Sequence, residues 1–459
     1  MAIALRTWPR RLVARRWLFA FVPINAATAG FGVVLPLLIL IPLHGSWGAV
    51  ALAATVFNAA VIASSVLWGH LSDRYPLRRL FLVINFGGYA VLYLALAGVA
   101  SLGELYVLYT VIGLIAPAGA SASNLLILEK FSEAERPTAF ASYQEMAMVG
   151  SLIGLGLGYF WTVDGDALTS LLVVLAALAA ASAVAIWFGV TDPSRRATTA
   201  QVAGHAESLA SRIRTSIGFR TPIPFFPYRP RIGRGAWGRL GRWARAELHH
   251  ELPLVFLATF LFNLASNLYN ISYTPYLYGA GLAASSIFLV NLSNNAAQTL
   301  LYPLSGGMSA RFGPDRLVQR SSYLRALGYL ATAGFTFLVF DPRGAFALNV
   351  LVFGVLGAAI AVYTTASSLI LFRGLAGRDA GSLLGVNSAL GGVAAVSGAA
   401  LSGVLSTFGS YRLVFLVSAG ALLVSLPLWS AASIAFLRRR HEREAPADGP
   451  APVRAPDRE

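Results

Sequence analysis

Twelve long apolar runs fill this chain, and their length and spacing leave the backbone few ways to fold. The runs lie near 17–41, 48–68, 80–100, 104–128, 137–162, 168–190, 252–278, 285–304, 317–340, 344–371, 380–407 and 410–436. A helix of about 20 apolar residues crosses a hydrocarbon layer of about 30 Å. In that layer every backbone N–H and C=O must pair internally, so only helices and closed barrels span it. Barrel strands alternate apolar and polar residues, whereas these runs are continuous. Charged residues make up 12% of the 459, against about 25% in a soluble domain. The sequence therefore predicts an all-α membrane protein with twelve transmembrane helices.

With an even number of spans, both termini share one side. Thirty-two of the 35 arginines and lysines fall in the termini and loops of that side. Arg343 and Arg412 lie opposite, and Arg325 lies within a run. Basic loops stay on the cytoplasmic side. The expectation is a multi-pass protein of the cell membrane, both termini cytoplasmic, its basic face against anionic lipid. That topology accounts for the net charge of +15, and no nucleic-acid partner is expected. Without cysteine there are no disulfides or thiolate metal sites, and no metal or cofactor is expected. Arg6, Arg10, Arg11, Arg15 and Arg16 precede the first run, which exceeds the roughly 7–15 apolar residues of a signal peptide. It reads as a retained helix.

The one long polar gap divides the chain. Residues 1–190 form one six-helix bundle, 191–251 a basic cytoplasmic linker, 252–437 a second bundle, and 438–459 a disordered tail. Within the linker, Ala236 to His250 reads as a surface helix, with Trp237 and Trp243 among arginines at the lipid headgroups.

The two halves share a turn. Gly69-His70-Leu71-Ser72-Asp73-Arg74-Tyr75-Pro76 and Gly306-Gly307-Met308-Ser309-Ala310-Arg311-Phe312-Gly313 stand 237 residues apart, each between two apolar runs. Such doubling is how many transporters with a site between their halves are built.

With six plus six helices and a cytoplasmic mid-loop, the chain resembles the major facilitator superfamily. That family's loop signature runs Gly-x-Leu-Ala/Ser-Asp-Arg-x-Gly-Arg/Lys-Arg. Gly69, Leu71, Ser72, Asp73, Arg74 and Arg78 match it, while Pro76 and Leu77 depart from it. The second copy keeps Gly306, Ser309, Arg311 and Gly313 but has Ala310 for the aspartate. The resemblance implies a monomer of two pseudo-symmetric bundles working by alternating access. It also implies a conformational latch of Gly69, Asp73, Arg74, Arg78, Glu129, Gly306 and Arg311. In that latch Asp73 faces the start of the eleventh helix near Asp379 to Ser382, Arg78 pairs with Glu129, and Gly69 permits close helix approach. Two marks of proton-coupled drug antiporters are damaged. Tyr109 stands where they carry arginine, and Leu155 and Tyr159 interrupt the motif of Gly150, Gly154 and Gly158.

Amides mark the candidate cavity. Asn263, Asn267 and Asn270 recur at i, i+4, i+7 on one helix face, extended by Thr274. Asn291, Asn294, Asn295 and Gln298 repeat the pattern in the next run. A buried unpaired amide costs about 1–3 kcal/mol, so these groups face ligand, water or protein. Two readings stand: a substrate cavity, or the two stripes hydrogen-bonded to each other as helix glue. The family lines its path with helices one, four, seven and ten, which adds Asn25, Thr28, Ser121, Asn124, Tyr363, Thr364 and Ser367. Tyr269, Tyr273 and Tyr276 form a second stripe that reads either as core or as a stacking surface. Arg325 is expected to snorkel to the cytoplasm.

Glu145 is the acidic residue placed deep in a run, and so the candidate for proton coupling. The resulting expectation is a secondary active transporter of a small polar organic solute. Its rivals are a gradient-driven uniporter, an exporter of drugs or other organic compounds, and a non-transporting sensor or scaffold. The histidines, His44, His70, His205, His249, His250 and His441, sit outside the runs or at their edges, so no convergent catalytic set forms and no enzyme is expected.

Overall fold

The computed structural model describes residues 16–75, 77–131, 135–165, 167–190, 192, 252–337, 342–375, 380–408 and 410–444. Among them a 3-10 turn, Arg16–Ala20, leads into twelve helices. These are α1 (Phe21–Leu40), α2 (Trp47–Arg74), α3 (Arg78–Ala97), α4 (Leu102–Lys130), α5 (Arg136–Thr162) and α6 (Leu168–Gly189). The second set is α7 (Leu252–Gly279), α8 (Ala284–Phe312), α9 (Pro314–Phe335), α10 (Pro342–Leu375), α11 (Ala380–Ser406) and α12 (Tyr411–Glu444). No strand occurs among the described residues. Nine of the described helices are long and apolar enough to cross a membrane. The other three, α5, α8 and α9, carry Glu145, an amide stripe and Arg325.

Local chemistry sets the helix ends. The Ser46 and Ser101 hydroxyls accept hydrogen bonds from Ala49 N and Glu104 N, satisfying N–H groups that a first turn leaves open. Asp192 does the same from outside for Arg79 N at the start of α3, at 2.7 Å. Gly313 turns α8 into α9 at φ +80°, a conformation a β-carbon opposes, and Pro314 then occupies the first position of α9, where a missing N–H costs nothing.

Packing repeats the internal duplication. In the first half α1 lies on α5 and α6, α2 on α4, and α3 on α4 and α6. In the second half α7 lies on α11 and α12, α8 on α10, and α9 on α10 and α12. Adding six to each label of the first set gives the second. The halves meet through α2 against α11 and α5 against α8. Within each half small residues bring backbones together: a β-carbon on Gly154 would sit 2.0 Å from Ala26 O of α1, and one on Gly357 of α10 2.2 Å from Asn294 O of α8.

One expectation changes. Helix α12 continues to Glu444, so residues 438–444 are helical, not a disordered tail. Its final turns are charged yet well suited to helix by propensity, with Arg438, Arg439, Arg440, Glu442 and Glu444. The linker 193–251, with its expected surface helix, and the tail 445–459 lie outside the described residues.

Candidate functional site

A cavity of about 510 Å³ lies between the halves. Helix α1 lines it with Thr28, Gly32 and Pro36, α2 with Val50 and Ala54, α4 with Tyr109, and α5 with Ser151 and Leu155. The second half contributes Asn270, Tyr273 and Thr274 from α7, Asn291, Asn294 and Asn295 from α8, and Phe353 from α10. Among the described residues, no lining residue is an aspartate, glutamate, histidine, lysine or arginine.

The start of α1 and the end of α12 lie at one end of the bundle, here the basic end. At the opposite, far end the halves are closed. The Trp47 ring stacks on Tyr411 at 4.4 Å, and its Nε1 donates to Ser402 Oγ at 3.2 Å. Ser402 in turn shares a 2.8 Å hydrogen bond with Ser272. A β-carbon on Gly48 would press on Ser406, and one on Gly158 would strike the Phe288 ring at 2.1 Å. Toward the basic end the contact lapses. β-carbons on Gly69, Gly306 and Gly307 would meet no described atom within 4 Å, and Val66 and Leu300 are 78% and 71% exposed. The cavity is therefore closed at the far end, while at the basic end Gly69, Gly306 and Gly307 make no described contact across the halves.

The amide stripes divide by depth. Asn270, Tyr273, Asn291, Asn294 and Asn295 line the cavity, whereas Asn25, Asn263, Asn267 and Gln298 stand nearer the basic end and outside its wall. Asn124 is exposed on α4, about four turns from Tyr109 along the same stripe. The two stripes do not bond to each other among the described residues. Asn263, Asn267, Asn291 and Asn295 each donate Nδ2 to the carbonyl four residues back, as Asn25 also does. Asn294 instead reaches helix α10, donating to Phe353 O at 2.8 Å while its Oδ1 accepts from Gln298 Nε2. It is the amide that glues helices.

Several placements correct the sequence reading. Tyr363 is not in the cavity wall: it is 3% exposed, stacked flat on Phe262 inside the second half, because α10 turns that face toward α7 and α12. Its hydroxyl lies near Thr259 and Trp429, yet neither completes a hydrogen bond. Glu145 is exposed and shares its helix face with Val149, Ile153 and Phe160, while Ser151 and Leu155 present the cavity face. Arg325 does not snorkel. It is 3% exposed and donates to Leu356 O at 3.3 Å, to Ser266 Oγ at 3.2 Å and to Tyr329 OH, with the Phe262 ring 5.2 Å away. The tyrosine stripe is mostly core: Tyr269 stacks on Tyr329 at 4.0 Å, while Tyr273, which also lines the cavity, donates to buried Asn349 at 3.0 Å. Tyr109 and Ser151 are the polar wall residues missed by the sequence reading. Tyr109 was legible only as a missing arginine, and Ser151 hides within the glycine motif.

At the basic end Arg78 is buried and pairs with Glu129 at 2.8 Å. It also donates to Ser72 O and Tyr75 O, so it fastens the end of α2 to α3 and α4. All of these partners lie in one half, making the pair a brace within that half and not a bridge between halves. Gly69, expected at a close helix approach, and Gly306 of the same latch meet no described atom within 4 Å in this conformation. Arg311 lies over the Phe312 ring at 5.3 Å. The side chains of Asp73 and Arg74, and of residues 380–386 at the start of α11, lie outside the described set.

Two six-helix halves around a central cavity closed at one end define a membrane transport protein. The chain belongs to the Major Facilitator Superfamily, whose family profile it matches over residues 17–242 and 255–457. Its fold is similar to that of the nucleoside transporter NupG, at 14% identity over 92% of this chain and 98% of that one, with a TM-score of 0.63. It also resembles a bacterial homologue of the human lysosomal transporter Spinster, solved inward-facing and unoccupied (14%, 93% and 98%, 0.61). A third likeness is the xylose transporter XylE from E. coli in a partially occluded inward-open state (15%, 96% and 98%, 0.58). No curated protein matches the chain by sequence. Family and neighbours together indicate a transporter rather than an enzyme.

Proposed function

We propose that this protein carries an uncharged, polar organic solute across the cell membrane by alternating access, down the solute's own gradient. One observation carries the reading: the central cavity, closed at the far end, is lined among the described residues by amides, hydroxyls and apolar groups, with no carboxylate or cation. A charged solute would enter this wall unpaired, at a cost of several kcal/mol. A proton carrier needs a titratable carboxylate or imidazole on the transport path, and Glu145 faces away from it. The positive-inside rule puts the basic end in the cytoplasm against anionic lipid, and the closed end of the cavity on the opposite side. One chain suffices, because both halves contribute to the wall. Neighbours named for nucleosides and xylose agree with a neutral solute.

The test is flux in vesicles holding the purified protein. Uptake should run to equal concentration and no further, unchanged by a proton gradient or a protonophore. Glu145→Gln should behave as wild type, and Asn270→Ala should raise KM about tenfold, the worth of about 1.4 kcal/mol. Accumulation driven by a pH gradient, abolished in Glu145→Gln, would overturn the uncoupled reading.

A further inference from the structure

Resting on the carrier reading, we infer that the cavity selects a solute rich in O–H and N–H donors, of the polyol, sugar or nucleoside kind. The inference comes from what the wall's own hydrogen bonds leave over. Thr28 Oγ1 donates to Asn25 O at 3.3 Å and Ser151 Oγ to Ala147 O at 3.0 Å, so both hydroxyls spend their only proton on their own helices. Asn291 and Asn295 each spend one amide hydrogen, on Ile287 O at 2.9 Å and Asn291 O at 3.1 Å. Asn294 is engaged at both ends, by Phe353 O and Gln298. Tyr273 turns its proton away to Asn349.

What the lining side chains leave uncommitted is mostly acceptor. The oxygens of Asn270, Asn291, Asn294, Asn295, Thr28 and Ser151 offer about eleven lone pairs, against about five uncommitted amide hydrogens. The hydroxyls of Thr274 and Tyr109, which can donate or accept, leave that balance unchanged. A neutral solute with several hydroxyl or amide hydrogens fills such a wall. A carboxylate or phosphate meets lone pairs with no cation to answer it. A methylated solute of the same shape leaves buried acceptors unpaired, and sites built for a hydroxyl reject analogues lacking it by large factors. The cavity's size lies in the range of small-ligand sites, about 300–1,000 Å³.

The experiment uses full-length protein and two matched sets of probes. One set is uridine, uridine 5′-monophosphate and 2′,3′,5′-tri-O-methyluridine. The other is glucose, glucuronate and penta-O-methylglucose. Melting in detergent and counterflow in vesicles are read for each, with tetraphenylphosphonium and benzoate as solutes of other classes. A neutral parent should raise the melting temperature and exchange, while its anionic and methylated partners bind at least tenfold more weakly. In Asn291→Leu and Asn295→Leu the preference for parent over methylated analogue should shrink tenfold, with solute-free melting close to wild type. A methylated analogue that equals its parent overturns the inference and leaves the carrier reading standing; an anionic analogue that equals its parent, or exchange confined to the other classes, overturns the inference and the neutral-solute part of the carrier reading, leaving only alternating-access transport. Exchange of none of these solutes takes down the carrier reading and the inference with it.

Discussion

Two arginines show how far a single residue can be read before its neighbours are known. Arg78 belongs to the loop signature, and the family resemblance implied its pairing with Glu129 at the end of α4. The structure adds the cause, since both side chains are nearly sealed from solvent. Removing one partner of a buried pair costs about 3–5 kcal/mol, whereas replacing both with apolar groups is often near neutral. Glu129→Gln should therefore lower the melting temperature clearly, and the double variant Arg78→Met with Glu129→Leu should recover most of the loss. Equal melting of single and double variants would remove the brace from the account. Arg325 was misread because its acceptors lie 31 and 59 residues away on other helices, beyond any local pattern. It holds α7, α9 and α10 by a planar fork that an ammonium does not reproduce. Arg325→Lys should cost about 1–3 kcal/mol in detergent melting and leave KM unchanged, because Arg325 is absent from the cavity wall. An unchanged melting temperature with a tenfold rise in KM would place it in the transport path instead.

At the scale of the helix, periodicity gives direction around the axis but not depth along it. The amides of α7 share a face as their spacing predicts, yet Asn270 meets the cavity and Asn263 and Asn267 do not, because the sealed pocket spans only part of the helix. The glycine stripe of α5 was equally legible, and its partners were not. Gly150 and Gly154 pack on α1 within one half, while Gly158 packs on Phe288 of α8 in the other. The same substitution should thus act differently along one stripe. Gly154→Ala should destabilise the half itself, its β-carbon driven into Ala26 O with no flexible side chain to yield. Gly158→Ala should mainly loosen the far-end seal. A cysteine at Asn270 can report this, since the chain has no cysteine of its own. In the Gly158→Ala background that cysteine should react faster with a membrane-impermeant maleimide applied from the far side, with little change in melting. An unchanged labelling rate would show that Gly158 plays no part in the seal.

For the whole molecule, the duplication was plain from the paired turns, and the packing map repeats it helix for helix. The conformation was not legible, because one sequence must specify every state of a carrier. The structure shows which state this is by which glycines are occupied. Gly48 and Gly158 are pressed at the closed far end, while Gly69 and Gly306, placed alike in the two halves, touch nothing described. In a helix interior glycine is less stable than alanine by about 1 kcal/mol, so a glycine idle in this state is explained by a second one. If the halves rock, α2 approaches α11 at the basic end as it does now at Gly48 and Ser406, and bulk at Gly69 obstructs that approach. Gly69→Leu should melt like wild type, because its side chain finds open space here. It should bind solute from the basic side with near-normal affinity, yet turn over at least tenfold more slowly, about 1.4 kcal/mol on the rate-limiting closure. Gly69→Ala should fall between, its single carbon tolerated more readily. Wild-type turnover in Gly69→Leu would mean that α2 and α11 never close at this level, and the basic end would then have to be gated by α5 and α8 alone.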